Sequence, residues 1–396
     1  MHATPLLRTV SAALLLASLL GGRLPATPPE VARAIAALER AAAVYDEPAM
    51  RTAAQDLTRL GRASLVSLTQ LLTNENANVR WKAVEAITQV GVSDPSLCAP
   101  LVARAHDRDA DVRGATAVAL ARLFPNHAHT CATLGRLRQD PQPLVRVHAC
   151  GELWRIQHDT NSLAALIAAL SDPDWMATRE ASRRLARIGD PATPALLALL
   201  KGGPLRVRTL AIDTLAAFER LPGEAVAPLV ELAWCEQPVL SEHAMLALAM
   251  SGTPGASALR ALCSAPTAGR RARAVSLLGT AGPSADIPSA RLLRALCDDA
   301  PAVRLAGLGA IARLRRSDRA ILRELPRFLR DRQPDQRAAA VAALEAIGPA
   351  ARAALPALRQ LAQNERVDYI RRAAEQLVQR LALQPSSFST GSSGGP

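Results

Sequence analysis

Aromatic residues are scarce in this chain: four Trp, two Tyr and four Phe among 396 residues. Strands draw heavily on aromatic and β-branched side chains, so the composition argues against a β-rich fold. Lysine is nearly absent, since of 47 basic residues only Lys82 and Lys201 are not arginine. A GC-rich genome produces that bias unaided, so the formal charge of +12 is only a weak pointer to nucleic acid, an anionic membrane or an acidic partner. Cysteines number six, and three of them recur at one place in successive segments: Cys235 in LAWCEQ, Cys263 in RALCSA and Cys297 in RALCDD. Equivalent positions on packed helices lie about 8–10 Å apart. A disulfide needs Cα atoms closer than about 7 Å, so these thiols are expected as small buried apolar groups rather than bridges.

The N-terminus carries an apolar run from Val10 to Leu20, preceded by Arg8 and followed by Gly, Pro and small residues. It falls short of the ~20 residues that span a bilayer, and its three-part layout is that of an export signal. The segment lacks a good Ala-x-Ala cleavage site, and no cysteine follows the run. Residues 1–27 are therefore expected to be a signal peptide or membrane anchor. Such a segment would take the protein to the periplasm or cell envelope of a bacterium, or tether it to the membrane there. The alternative is a capping helix on a cytoplasmic protein. The tail at 384–396 is rich in Gly and Ser and is expected to be disordered.

What the chain has in abundance is Ala, Leu, Val and Ile, within a hydrophobic share of 49%. A chain this long must divide into domains or grow its core along an axis, and internal repetition favours the second. NANVRWKAVEAITQVG from Asn76, DADVRGATAVALARLF from Asp109 and PDQRAAAVAALEAIGP ending at Pro349 share one skeleton. An acidic or amide residue precedes a Val-Arg pair or its equivalent, and small apolar residues follow at helical spacing. The Arg position recurs at 50, 80, 113, 146, 178, 208, 241, 271, 304, 337 and 371. It is occupied by Arg80, Arg113, Arg146, Arg208, Arg271, Arg304, Arg337 and Arg371, with Met50, Thr178 and Ser241 as exceptions. A second apolar helix precedes each marker, as in LVSLTQLL, TPALLALL and LPALRQLA, and Gly61, Gly91, Gly189, Gly282 or Gly348 closes several units.

The recurring Asp-x-x-Val-Arg turn resembles the HEAT repeat, most closely the short HEAT-like repeats of phycobilisome lyases, over residues 28–383. There is no Thr-Pro-Leu-His turn of the ankyrin kind and no tetratricopeptide Trp/Gly/Tyr pattern. The resemblance implies an all-α fold, a right-handed α-α superhelix (HEAT-repeat solenoid) of about eleven two-helix repeats, with A helices on the convex side and B helices lining the concave side. The eight marker arginines are expected to pair with the acids ahead of the Val-Arg motif from repeat to repeat, as a structural ladder.

Enzymatic uses of such stacks require particular residues. The deoxyhypusine hydroxylases hold di-iron through repeated His-Glu pairs, whereas this chain has only the reversed Glu242-His243, beside Ser241. Adjacent residues on a helix point apart, which disfavours a Ser/His nucleophile there. His106, His127, His129, Cys131, His148, Cys150 and His158 cluster in sequence but match no standard zinc spacing. No catalytic residue, metal or cofactor is expected. Alkylpurine DNA glycosylases use a basic groove, and Arg59, Arg122, Arg155, Arg187, Arg313 and Arg380, nine residues after their markers, could track phosphates or an acidic partner. They could equally reflect the preference for cations at helix C-termini. The expectation is a non-enzymatic scaffold for a protein partner. Trp81, Lys82, Arg122, His148, Trp154, Arg155 and Arg187 are the candidate contacts, nucleic acid is the alternative ligand, and membrane is met only through the N-terminal segment.

Overall fold

The computed structural model describes residues 27–281 and 287–383. The expected signal segment, apart from its last residue, lies outside the described residues, as do the tail and Gly282. The described residues contain no strand. The chain divides into two compact units, Met1–Ala181 and Ser182–Pro396.

In the first unit helices follow one another as pairs: α1 (Pro29–Ala43) with α2 (Glu47–Arg59), α3 (Leu65–Leu71) with α4 (Ala77–Val90), α5 (Cys98–Arg104) with α6 (Ala110–Leu123), and α7 (Ala128–Leu137) with α8 (Pro143–Gln157). Helix α9 (Thr160–Ala169) comes next, and α10 (Trp175–Ile188) carries the dividing point. Each even-numbered helix is a B helix bearing the marker. Its start is set four residues before the marker, where in four of the five a short polar side chain caps the first turn, Gln142 of α8 being the exception. Asp46 accepts from the Ala49 N–H at 3.1 Å, Asn76 from Asn78 at 2.9 Å, Asp109 from Asp111 at 3.0 Å, and Asp174 from Met176 at 2.8 Å. Such caps contribute about 1 kcal/mol each. Gly91, with φ 72°, ends α4 in the left-handed conformation that a residue without Cβ adopts at no steric cost.

The core of this unit is a run of Leu, Val and Ile interleaved with alanines. Leu38, Leu57, Leu68, Ile87, Leu101 and Leu120 are fully buried, and together they belong to one continuous cluster. Ala117, Ala121 and Ala149 pack with Leu134 and Leu153 in a second cluster. Alanine at these positions lets neighbouring B helices approach closely, so each pair covers an apolar stripe that it could not bury alone.

The second unit continues the alternation with α11 (Thr193–Gly202), α12 (Leu205–Ala216), α13 (Gly223–Trp234), α14 (Pro238–Met250), α15 (Thr253–Leu262), α16 (Ala268–Thr280), α17 (Ser289–Leu296), α18 (Pro301–Leu314), α19 (Arg319–Phe328), α20 (Pro334–Ile347), α21 (Leu355–Asn364) and α22 (Asp368–Leu383). Leu248, Leu259, Ile311, Leu325, Leu344 and Ile370 form its interior. Helices α16 and α18 approach closely, and a Cβ on Gly279 would stand 2.7 Å from the Ala310 Cα. All six cysteines are free thiols. Of the three recurrent ones, Cys263 is buried and Cys235 half-buried, but Cys297 is exposed, contrary to its expected place in the core.

Candidate interaction surface

The marker arginines separate the residues that build the stack from those left over for other work. Arg80 places Nε and Nη2 on the two oxygens of Asp107, at 2.8 and 2.7 Å. Its Nη1 donates to the Asn74 and Glu75 carbonyls of its own turn, at 2.9 and 2.8 Å. Arg113 repeats this on Asp140 and on the Asp107 and Arg108 carbonyls. Arg271 does so on Asp298 and on the Ala265 and Pro266 carbonyls. Arg337 does so on Glu365 and on the Asp331 and Arg332 carbonyls. Arg146 makes the same bonds to the Asp140 and Pro141 carbonyls and meets Asp172 through Nη2 at 3.3 Å. Each guanidinium thus ties its own turn to the turn of the following repeat, which uses its planar fork fully.

The acid involved is not the one expected. The acid that opens the Asp-x-x-Val-Arg turn, Asp109 for example, is the helix cap. The ladder uses an acid two positions earlier, as with Asp107 and Asp172. That carboxylate also accepts the backbone N–H two residues on, from Asp109 to Asp107 at 3.0 Å and from Gln142 to Asp140 at 2.9 Å. Burial pushes the Asp107 and Asp140 carboxyls up, but the arginine forks, these backbone bonds and the surrounding positive charge outweigh it, and both end below the ordinary range. Asp298 and Glu365 are held low chiefly by the hydrogen bonds from Arg271 and Arg337.

Three of the eight arginines depart from the pattern. Arg304 keeps its bonds to the Asp298 and Asp299 carbonyls. Arg371, in the final helix, turns to Asp368 at 2.6 Å and Glu375 at 3.9 Å within α22. For Arg208, the sequence position of the acid is taken by Cys235, and its Nε is buried without a hydrogen-bond partner. At two of the three exceptional markers, Thr178 and Ser241, a hydroxyl substitutes for the guanidinium. Thr178 Oγ1 donates to the Asp172 carbonyl at 3.0 Å, and Ser241 Oγ to the Ala233 carbonyl at 2.7 Å.

The outward face of the B helices comprises the positions two, five and nine residues after the marker. Neighbouring repeats meet at or next to these positions within the first unit: Thr58 with Gln89 at 3.3 Å, Arg155 Nη2 with the Ala121 carbonyl at 2.7 Å, and His148 with Glu180 at 3.9 Å. The candidate contacts distribute unevenly over it. Lys82, expected to be accessible, is 4% exposed, pairs with Glu47 and Glu85, and sits 3.8 Å above the Trp81 ring. Trp81 is itself half-buried against the core. Trp154 is half-buried, edge-on to His158, and His148 lies over Gly114. Arg122 and Arg155 are exposed, and the latter is paired with Glu152 at 2.8 Å. Arg187 is exposed in the second unit. Among the other arginines of the stripe, Arg59 pairs with Asp56, Arg380 with Glu345, and Arg313 reaches the Ser276 carbonyl.

The histidine and cysteine cluster is dispersed. His127 caps α7 and lies 3.7 Å from Cys98, His106 meets Arg136, and Cys131 receives a bond from Gln157. Among the described residues no three His, Cys, Asp or Glu side chains gather at metal-binding range. His243 faces Asp213 at 2.6 Å, and the Ser241 hydroxyl is committed to a backbone carbonyl.

Sequence reasoning missed one feature of the second unit. Val239, Leu246 and Met250 are 44, 41 and 66% exposed, at spacings that place them on one stripe of α14. The surrounding helix, PVLSEHAMLALAM, is apolar nearly all round. That is the signal, although periodicity could not say which side stays uncovered.

Stacked pairs of helices stapled turn to turn define an α-helical repeat protein. The HEAT-repeat family model matches residues 34–121, 132–216 and 289–379, well over half of the chain, and the chain belongs to the HEAT-repeat family. Among solved structures it is similar to the karyopherin Kap121p bound to the extreme C-terminus of the protein phosphatase Cdc14p, with TM-score 0.60, 15% identity, and coverage of 95% of this chain and 48% of that one. It is also similar to importin beta (TM-score 0.53, 15% identity, 96% and 60% covered) and to Kap95p in its structure with RanGDP (0.51, 14%, 96% and 61%). The chain thus spans about half to three fifths of the length of these karyopherins, and at such identities the likeness concerns the fold alone. No curated protein gives a significant match.

Proposed function

We propose that this chain is a non-enzymatic scaffold that binds a protein partner along the outward face of its B helices. The observation that carries the reading is a division of labour within each repeat. Ladder and core positions recur along the chain, whereas the position two after the marker varies in its middle stretch, with Thr52, buried Lys82, Ala115, His148 and Glu180 in the first unit and Leu210, His243 and Arg273 in the second before alanine returns at Ala306, Ala339 and Ala373. Residues that serve stacking must repeat, and those that serve recognition need not. The α14 stripe adds the exposed apolar surface that marks a contact site. Two of the similar structures are of karyopherins with protein ligands, the Cdc14p C-terminus and RanGDP.

Immobilised full-length chain should retain a partner protein that a Leu246→Asp, Met250→Asp variant of equal stability loses. Identical retention by both, or none by either, contradicts the reading. Exposed Arg122 and Arg155 support duplex DNA as the second ligand class, and binding at low salt that falls steeply as salt rises would put nucleic acid in first place. We also propose that the N-terminal segment exports or tethers the protein. N-terminal sequencing of the native protein should find the segment removed, or fractionation should find the chain in the envelope. An uncleaved chain recovered from the cytoplasm overturns this.

A further inference from the structure

Beside the Arg271–Asp298 rung the second unit holds a cavity of about 230 Å³ between the ends of α15 and α17 and the start of α16. Cys263 and Ser264 border it on one side, and Arg291 and Arg294 on the other. The rung itself is internally matched, because Asp298 takes both forks of Arg271 and also feels the charge of Arg304. That leaves two guanidinium groups with no further carboxylate in the lining. Arg291 Nη1 makes a long 3.4 Å contact with Ser264 Oγ, and Arg294 is exposed.

The same crevice recurs two repeats later, beside Arg337–Glu365, with a volume of about 310 Å³. There Ala357 and Gln360 stand in place of Arg291 and Arg294, while Arg330 takes the place of Ser264. Arg330 reaches across the mouth to Gln360 Oε1 at 2.7 Å, so its donor is used internally. The first crevice inverts the arrangement, with two cations on the A helix facing a small hydroxyl and open space between them.

We propose that this crevice binds an oxyanion, a phosphate or carboxylate group, held between Arg291 and Arg294 with Ser264 Oγ as a neutral donor. Arginine forks match both anions geometrically. The neighbouring Cys263 thiol suits the role. Burial raises its pKa to about 11 against the opposing pull of Arg291, so it stays neutral and adds no competing negative charge. The site is separate from the outward face of the B helices, and its failure would leave the scaffold reading standing.

The test uses full-length protein titrated with inorganic phosphate, and in parallel with acetate, against chloride at matched ionic strength, followed by thermal unfolding and phosphorus NMR line width. Saturable stabilisation beyond chloride is expected. It should weaken at least tenfold in Arg291→Gln, Arg294→Gln and vanish in Ser264→Arg, which adds positive charge while blocking the space. Arg330→Gln at the second crevice should change nothing. An effect of acetate equal to that of phosphate would assign the site to carboxylates, and a larger phosphate effect to phosphates. No saturable effect in the unaltered chain, or one that survives Ser264→Arg, overturns the site.

Discussion

Repeats two to four and repeats six to seven share one plan of paired helices but hold their turns differently. In the first group Arg80, Arg113 and Arg146 each join their own turn to an acid of the next repeat. In the second, Cys235 occupies the sequence position of the pairing acid and the Arg208 Nε has no hydrogen-bond partner, Ser241 replaces the guanidinium, and Arg270 of the following repeat donates to the Trp234 and Cys235 carbonyls. Helix pairs form in both groups, so burial of the apolar stripes makes the repeat and the rung adds strength to it. The region with the weaker rung is also where α14 leaves Val239, Leu246 and Met250 uncovered.

Acid should break this comparison most severely, because it acts on every rung together. The carboxyls of Asp107, Asp140, Asp298 and Glu365 lie below their ordinary values, and Arg316, followed by Ser289, holds Asp318 at about 2 against the effect of burial. A depressed carboxyl contributes stability above its unfolded pKa of ~3.9 and loses it as pH falls through the folded value. The melting temperature should therefore hold down to about pH 4 and collapse toward pH 2, with a shallower fall in an Asp107→Asn, Asp140→Asn, Asp298→Asn variant. Next in size, Asp140→Ala leaves Arg113, whose side chain is 12% exposed, without its counter-charge. We expect a loss of about 3 kcal/mol by urea unfolding. Gly279→Ala should cost about 2 kcal/mol, since the new methyl forces apart the backbones of α16 and α18. Cys235→Asp sharpens the contrast by building the missing rung under Arg208, and should add about 1 kcal/mol.

Much of the architecture was legible because the marker recurs at nearly constant spacing and alanine-rich stripes fit helices alone. The capping role of Asn76 and Asp109 could be read from residue type. The pairing acid could not, because Asp107-x-Asp109 and Asp172-x-Asp174 offer two carboxylates each and only the reach of the previous repeat's arginine chooses between them. The burial of Lys82 is hidden from the sequence for a related reason. A lone lysine on a B helix looks solvent-facing until Glu47 and Glu85 are seen to enclose it. The exposed stripe of α14 was hidden because a helix apolar on every side gives no sign of which side its neighbours leave open.

The most direct measurement is a double-mutant cycle on Arg80 and Asp107, using Arg80→Leu, Asp107→Ala and both together, read by urea unfolding. If the guanidinium truly staples successive turns, the double variant should be less destabilised than the sum of the singles by about 2 kcal/mol. Additivity within about 0.5 kcal/mol would show that the two residues act independently, and the ladder would lose its place in the account.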